Sequence, residues 1–103
     1  MTFAKGNCYL LTDVTSVMKN PLHEKIVGCL CELRTFNENE FGWFSVDVDG
    51  HTHTICTSIV NKVRLNDDES ITVSTANSVY NFALVCYQLD ADCAERIYEP
   101  SNV

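Results

Sequence analysis

Glycine and proline are scarce in this chain of 103 residues, which contains four glycines and two prolines. So few glycines leave no glycine-rich loop for holding phosphates, and no serine lies in a G-x-S-x-G elbow. Because there is no linker of biased composition, residues 1–103 are predicted to form a single domain. The sequence carries no visible catalytic signature, so we expect a protein that is not an enzyme and needs no cofactor.

Long apolar runs are also missing. The longest cover residues 26–31 and 82–87, far shorter than the ~20 residues that span a bilayer. The N-terminus lacks the charged start, the continuous apolar stretch and the small-residue cleavage site of a secretory signal. We therefore expect no membrane span and a cytoplasmic location.

Basic residues are few, with 7 Lys and Arg against 14 Asp and Glu and a formal net charge of −7. The seven basic residues form no run along the chain. Proteins that bind nucleic acid use a basic face to neutralise backbone phosphates. We therefore expect no direct binding of nucleic acid, and a protein is the more natural partner.

Cysteine is the residue present in excess, with six copies. In an exported protein these residues could pair as disulfides, but without an export signal thiols stay reduced. Their apolar neighbours predict that they pack as small buried hydrophobes. The closest pair, Cys29-x-Cys31, lacks the C-x-x-C redox spacing. Core thiols are predicted at Cys8, Cys29, Cys31, Cys56, Cys86 and Cys93.

Alternating apolar residues predict an all-β domain. We expect strands over 6–14, 25–33 and 41–48, and further short strands between 51 and 87. Residues 15–24 are predicted to form a long connecting loop, and residues 36–40 a polar turn. Asp49-Gly50 predicts a hairpin with a type I′ turn, and polar connections are predicted at 66–69 and 77–78.

The last residues change period, because apolar side chains recur every fourth position at Leu89, Cys93 and Ile97. This spacing predicts a short C-terminal helix with Asp90 as its N-cap. About five to seven short antiparallel strands and one short helix favour a small SH3-like barrel. An OB-like barrel is the alternative.

Aromatic residues offer the clearest candidate for a binding surface. Phe44 and Phe82 are predicted to lie in the core. Trp43 shares its predicted strand face with Ser45 and Asp47, which favour solvent, so we interpret Trp43 as a hydrophobic anchor for a partner.

Carboxylates gather in three groups. These are Asp67, Asp68 and Glu69; Glu38 and Glu40; and Asp92, Glu95 and Glu99 on the predicted C-terminal helix. They could simply form a solvated acidic surface. Alternatively, an acidic face could compete with nucleic acid for a basic groove on another protein through electrostatic steering.

Two histidines raise the alternative of a metal site. His51 and His53 project from one face of a predicted strand, but a zinc site needs at least one further ligand, and no spaced motif supplies it. Asp47-x-Asp49-Gly50 looks like the start of a calcium loop, yet a tight hairpin explains the same residues. A metal-dependent enzyme using the two histidines is therefore the last of three hypotheses.

The runs TSIV at 57–60 and ITVSTANSVYNF at 71–82 resemble the closing strands of small, mostly uncharacterised SH3-like barrel proteins of phages and mobile elements. Families of that kind often contain inhibitors that act on host or anti-phage proteins. The resemblance implies a phage-encoded, anti-defence inhibitor of a host protein, acting in the host cytoplasm, and transfers no functional residue.

The second hypothesis is a module that binds a small molecule or nucleotide signal, for which basic residues would have to converge on a pocket. Neither hypothesis fixes the oligomeric state.

Overall fold

The computed structural model describes Phe3 and residues 7–86, and these form a closed antiparallel barrel. Each strand pairs with the next one along the chain, and the last strand pairs with the first. The predicted small all-β barrel is therefore confirmed, with six strands. The consecutive strand order differs from the Greek key of an OB-like barrel. The elements are β1 Cys8–Ser16, α1 Pro21–Ile26, β2 Leu30–Thr35, β3 Phe41–Val48, β4 His51–Leu65, β5 Ile71–Thr75 and β6 Ser78–Cys86.

An aromatic cluster fills the barrel. Phe36, Phe44 and Phe82 are fully buried, as is Leu11 beside them in the core. The rings of Phe44 and Phe82 meet edge to face with their centroids 5.2 Å apart, a favoured geometry for aromatic pairs. The predicted burial of Phe44 and Phe82 is confirmed.

The β3–β4 hairpin has the predicted tight turn. Asp49 and Gly50 adopt positive φ angles of 53° and 80°, and Val48 pairs with His51 across the turn. A type I′ turn needs positive φ at both central residues, which Asp-Gly tolerates. Strand β4 then continues unbroken for 15 residues, with a register irregularity between Val60 and Lys62.

A short helix corrects the prediction for residues 15–24. These residues were expected to form a loop, but β1 extends to Ser16 and α1 begins at Pro21. The Asn20 side chain caps the helix by accepting a hydrogen bond from the Leu22 amide at 3.0 Å. Pro21 follows at a position where its fixed φ favours a helix start. The capping signal was present in the sequence, but the prediction gave more weight to the turn-like residues around it.

The end of this helix also corrects the predicted strand over 25–33. Ile26 is fully buried as the last helical residue, and Gly28 has a φ of +87°, which reverses the chain direction. The Gly28 amide then donates to the Leu11 carbonyl at 2.7 Å. Strand β2 consequently begins only at Leu30.

Three further predictions concern the first strand, the turn before β3 and the C-terminal helix. Strand β1 was predicted from residue 6 and runs over Cys8–Ser16. The predicted polar turn over 36–40 contains Phe36, which points into the core and is fully buried. The predicted C-terminal helix lies outside the described residues. Within the described part of the chain, no helix is long and apolar enough to cross a membrane.

Candidate functional site

Two large aromatic side chains lie exposed on the outer face of β3. Phe41 is 55% exposed and Trp43 is 44% exposed, whereas Phe44 next to them is fully buried. Residues two apart on a strand project from the same face, so both rings leave the barrel on the same side. Together with Thr35 and Ile59 they line one shallow depression, and we name these four residues the aromatic patch.

Close packing behind the patch explains why its rings point outward. A Cβ atom on Gly42 would lie 2.7 Å from Cε1 of Phe36 and 2.8 Å from Oγ1 of Thr57. The Gly42 amide also donates to Thr57 Oγ1 at 3.0 Å. The barrel interior is therefore full behind Gly42, and strand alternation places the flanking Phe41 and Trp43 on the outer face.

The loop that precedes β3 gives the patch an acidic border. Glu38 and Glu40 are exposed there, and Glu40 also lines the depression. The side-chain Nδ2 of Asn37 donates to Oε2 of Glu40 at 3.0 Å, which fixes the direction of this carboxylate. The predicted exposure of Trp43 is confirmed, and Glu40 of the Glu38 and Glu40 group lies with it at the depression.

Strand β2 carries an exposed basic residue, Arg34, next to Thr35 of the patch. The Arg34 guanidinium donates from Nε to Oγ of Ser45 at 3.1 Å. Ser45 was expected to face solvent with Trp43, but it is only 6% exposed. The hydrogen bond to Arg34 gives this buried hydroxyl a partner.

The second acidic group does not join the patch. Asp67, Asp68 and Glu69 are exposed in the turn after β4, about 30 Å of extended strand beyond the residue that pairs with Trp43. Asp68 accepts hydrogen bonds from both the amide and the hydroxyl of Ser70, which lower the pKa of its carboxyl. Asp68 therefore stabilises its own turn. The third group, Asp92, Glu95 and Glu99, lies outside the described residues.

His51 and His53 of the β3–β4 hairpin are exposed, and so are the neighbouring Thr52 and Thr54. Among the residues that the structure describes, no group of three or more His, Cys, Asp or Glu side chains could hold a metal ion. Within this described part, His51 and His53 therefore have no third ligand beside them. Asp49 of the supposed calcium loop occupies the hairpin turn.

The cysteines divide into buried and exposed thiols. Cys8 and Cys31 are buried as predicted, and burial raises the pKa of Cys31 to about 12. Cys29 is half-buried. The prediction for Cys56 is wrong, because this residue is exposed on the outer face of β4 where it pairs with Trp43. The side chain of Cys86 and all of Cys93 lie outside the described part.

A second concave site lies between α1 and the barrel wall. It encloses about 390 Å³, and we call it the helix pocket. Its apolar lining includes Met18, Leu22 and Ile55. Its polar lining includes Ser16, Lys19, His23, Ser78 and Tyr80.

Hydrogen bonds connect the polar residues of the helix pocket. Ser16 Oγ lies 3.0 Å from Nδ1 of His23 and 2.5 Å from Oγ of Ser78. The His23 ring meets Tyr80 edge to face at a centroid distance of 5.8 Å. Burial lowers the pKa of His23 and raises that of Tyr80. Sequence reasoning missed this site because its residues come from β1, α1, β4, β6 and the segments that connect them, and only the folded barrel brings these together.

Comparisons with models of protein families, with curated proteins and with solved structures find no match for this chain. Its function must therefore be inferred from the geometry of its own surface.

Proposed function

We propose that this chain is a non-enzymatic interaction protein that binds a basic partner protein through the aromatic patch and its acidic border. The observation that carries the proposal is the exposure of Phe41 and Trp43 side by side, with Glu38 and Glu40 in the adjoining loop. Large aromatic residues supply much of the binding energy of protein interfaces when they are buried in a partner's pocket.

The chemistry of the patch favours a basic partner. A Lys or Arg side chain can lie over the face of Trp43, an arrangement worth roughly 0.5–1 kcal/mol at exposed sites and more when water is excluded. The same cation would meet the carboxylates of Glu38 or Glu40. Charge-assisted hydrogen bonds of this kind favour Arg, which can engage a carboxylate with two parallel donors.

The net charge of −7 supports a biological role for such binding. An acidic protein is steered toward a basic surface over distances of about the Debye length, roughly 8 Å at physiological salt. A groove that binds nucleic acid is the usual basic surface, so we propose that the chain competes with nucleic acid for this groove. A phage-encoded anti-defence inhibitor acting in the host cytoplasm would work in this way.

Affinity capture with matched variants tests the proposal. Tagged wild-type protein, Trp43→Ala and the double variant Glu38→Gln/Glu40→Gln would be incubated with host lysate, and retained proteins identified by mass spectrometry. We expect the wild type to retain a basic, nucleic-acid-binding protein that salt releases. Both variants should lose that same protein.

Leu65→Ala is the matched control, because Leu65 is 61% exposed on β4 but does not line the patch. It should retain the partner as well as the wild type does. The competition is then tested by adding the chain to the purified partner bound to a labelled oligonucleotide, which should be displaced. Equal capture by Trp43→Ala and wild type would contradict the proposal.

A further inference from the structure

The helix pocket shares no lining residue with the aromatic patch, although its Cys56 pairs with Trp43, and it has the features of a ligand site. Its volume of about 390 Å³ falls within the roughly 300–1,000 Å³ of typical small-molecule pockets. Apolar side chains line it together with a few connected polar groups, and two of those groups, His23 and Tyr80, have perturbed pKa values.

The charged residues that line the helix pocket indicate which class of ligand it can bind. The chain has twice as many acidic as basic residues, yet no Asp or Glu of the described residues lines the helix pocket. Lys19 does line it. The pocket therefore favours a ligand with a negative charge, and a single lysine is too little for a nucleotide with several phosphates.

The hydrogen bonds of His23 leave its Nε2 hydrogen free to bind a negatively charged ligand. When Ser16 donates its hydroxyl hydrogen to Nδ1 of His23, the hydrogen of the neutral ring lies on Nε2. Among the described residues, Nε2 has no hydrogen-bond partner of its own. Ser16 is in turn held by Ser78 at 2.5 Å, so the ring is fixed in position.

The ammonium group of Lys19 is also available. Its only ion pair in the described part of the chain is with Oε1 of Glu24, at a distance of 3.8 Å. The side chains are 84% and 70% exposed, so water screens the pair and a ligand can replace it.

Apolar side chains around the pocket indicate the rest of the ligand. Met18 is 77% exposed and Leu22 is 42% exposed, although both line the pocket. An apolar group placed against them would remove this surface from water, which is worth about 25 cal/mol per Å².

We propose that the helix pocket binds a small organic carboxylate, whose apolar body packs on Met18 and Leu22 while its carboxylate meets Lys19 and the Nε2 atom of His23. A carboxylate carries one charge and accepts two hydrogen bonds, which matches these two donors. Binding at this site does not depend on the aromatic patch.

Three probes separate the components of this proposal: phenylacetate, the neutral phenylacetamide, and inorganic phosphate as an anion without an apolar body. Each would be titrated into isotope-labelled full-length protein while NMR follows the Met18 and Leu22 methyl groups and the His23 ring. We expect phenylacetate alone to give saturable shifts of all three residues. Phosphate or phenylacetamide binding as tightly as phenylacetate would overturn the proposal, as would the absence of any saturable shift.

Two surface variants test the charge assignment in opposite directions. Lys19→Gln should weaken phenylacetate binding about threefold to tenfold, because a charge-assisted hydrogen bond is lost. Glu24→Gln removes the competing carboxylate and should strengthen it. Lys62→Gln, a lysine on β4 that does not line the pocket, should leave the affinity unchanged. If all three variants bind phenylacetate like the wild type, the assignment is wrong.

Discussion

Neighbouring aromatic residues on β3 occupy opposite environments. Phe44 is fully buried among the rings of Phe36 and Phe82, whereas Trp43 is 44% exposed on the outer face. Both belong to the same strand and differ only by the side of the sheet from which they project. Residue type alone therefore does not assign a role, and strand alternation separates the aromatic residues that hold the fold from those free to bind.

The two regions should respond differently to mutation. Stability should depend on the aromatic core, and partner binding should depend on the aromatic patch.

Phe44→Ala should cause the largest loss of stability. Removing a fully buried phenylalanine leaves a cavity and typically lowers the free energy of unfolding by about 3–5 kcal/mol. Trp43→Ala, the matched change on the outer face, should cost less than about 1 kcal/mol. Urea unfolding followed by circular dichroism measures both. Comparable losses for the two variants would show that Trp43 is a structural residue.

Gly42→Ala should have the next largest effect, since this residue separates the patch from the core. The added methyl group would lie 2.8 Å from Thr57 Oγ1 and still closer to the Phe36 ring. Overpacking of this kind typically costs about 1–3 kcal/mol of unfolding free energy. The same urea experiment applies. An unchanged unfolding midpoint would mean that Phe36 moves freely, contrary to its place in the core.

Asn20→Ala should destabilise the protein by about 1 kcal/mol, because it removes the side chain that caps α1. Asn20→Asp keeps a capping oxygen and is the matched control, with little expected change. Hydrogen exchange of the Leu22 amide should rise in Asn20→Ala alone. Equal exchange in both variants would indicate that the cap contributes nothing.

The smallest effect concerns the pH dependence of stability. Burial lowers the pKa of His23 below its usual 6.5, so the unfolded chain binds this proton more readily than the folded chain. Stability from the neutral ring is fully present above about pH 6.5 and is lost as the pH falls through the lower folded value. His23→Gln should therefore lose less stability than the wild type between about pH 7.5 and 5 in urea titrations. A steeper loss of stability in His23→Gln than in the wild type would contradict the lowered pKa of His23.

Sequence alone predicted the parts of the fold that depend on local chemistry. The Asp49-Gly50 turn was predicted because few residue pairs tolerate two positive φ angles. The exposure of Trp43 was predicted from the strand face that it shares with Ser45 and Asp47, although Ser45 itself is buried. The burial of Phe36 was missed, since its polar neighbours hide a side chain whose partners lie on distant strands.

The helix pocket could not be predicted from local sequence patterns. Ser16 and Ser78 are far apart in the chain and meet only because β1 closes the barrel against β6. Asn20 and Pro21, in contrast, carried a readable helix start that was outweighed by the turn-like residues around them. The four residues proposed to contact the ligand lie close together in the sequence, at 18–23, whereas the Ser16–Ser78 contact that holds the His23 ring depends on long-range pairing.

Trp43 is the sole tryptophan of the chain, so its fluorescence observes the aromatic patch directly. The most direct test is a titration with a nine-residue polyarginine peptide, with polyglutamate of equal length as the control. The account predicts that polyarginine shifts the Trp43 emission and protects it from acrylamide quenching. This effect should vanish near ~0.5 M salt and weaken in Glu38→Gln/Glu40→Gln. If calorimetry detects polyarginine binding while Trp43 emission and quenching stay unchanged, the peptide binds elsewhere and the central claim is contradicted.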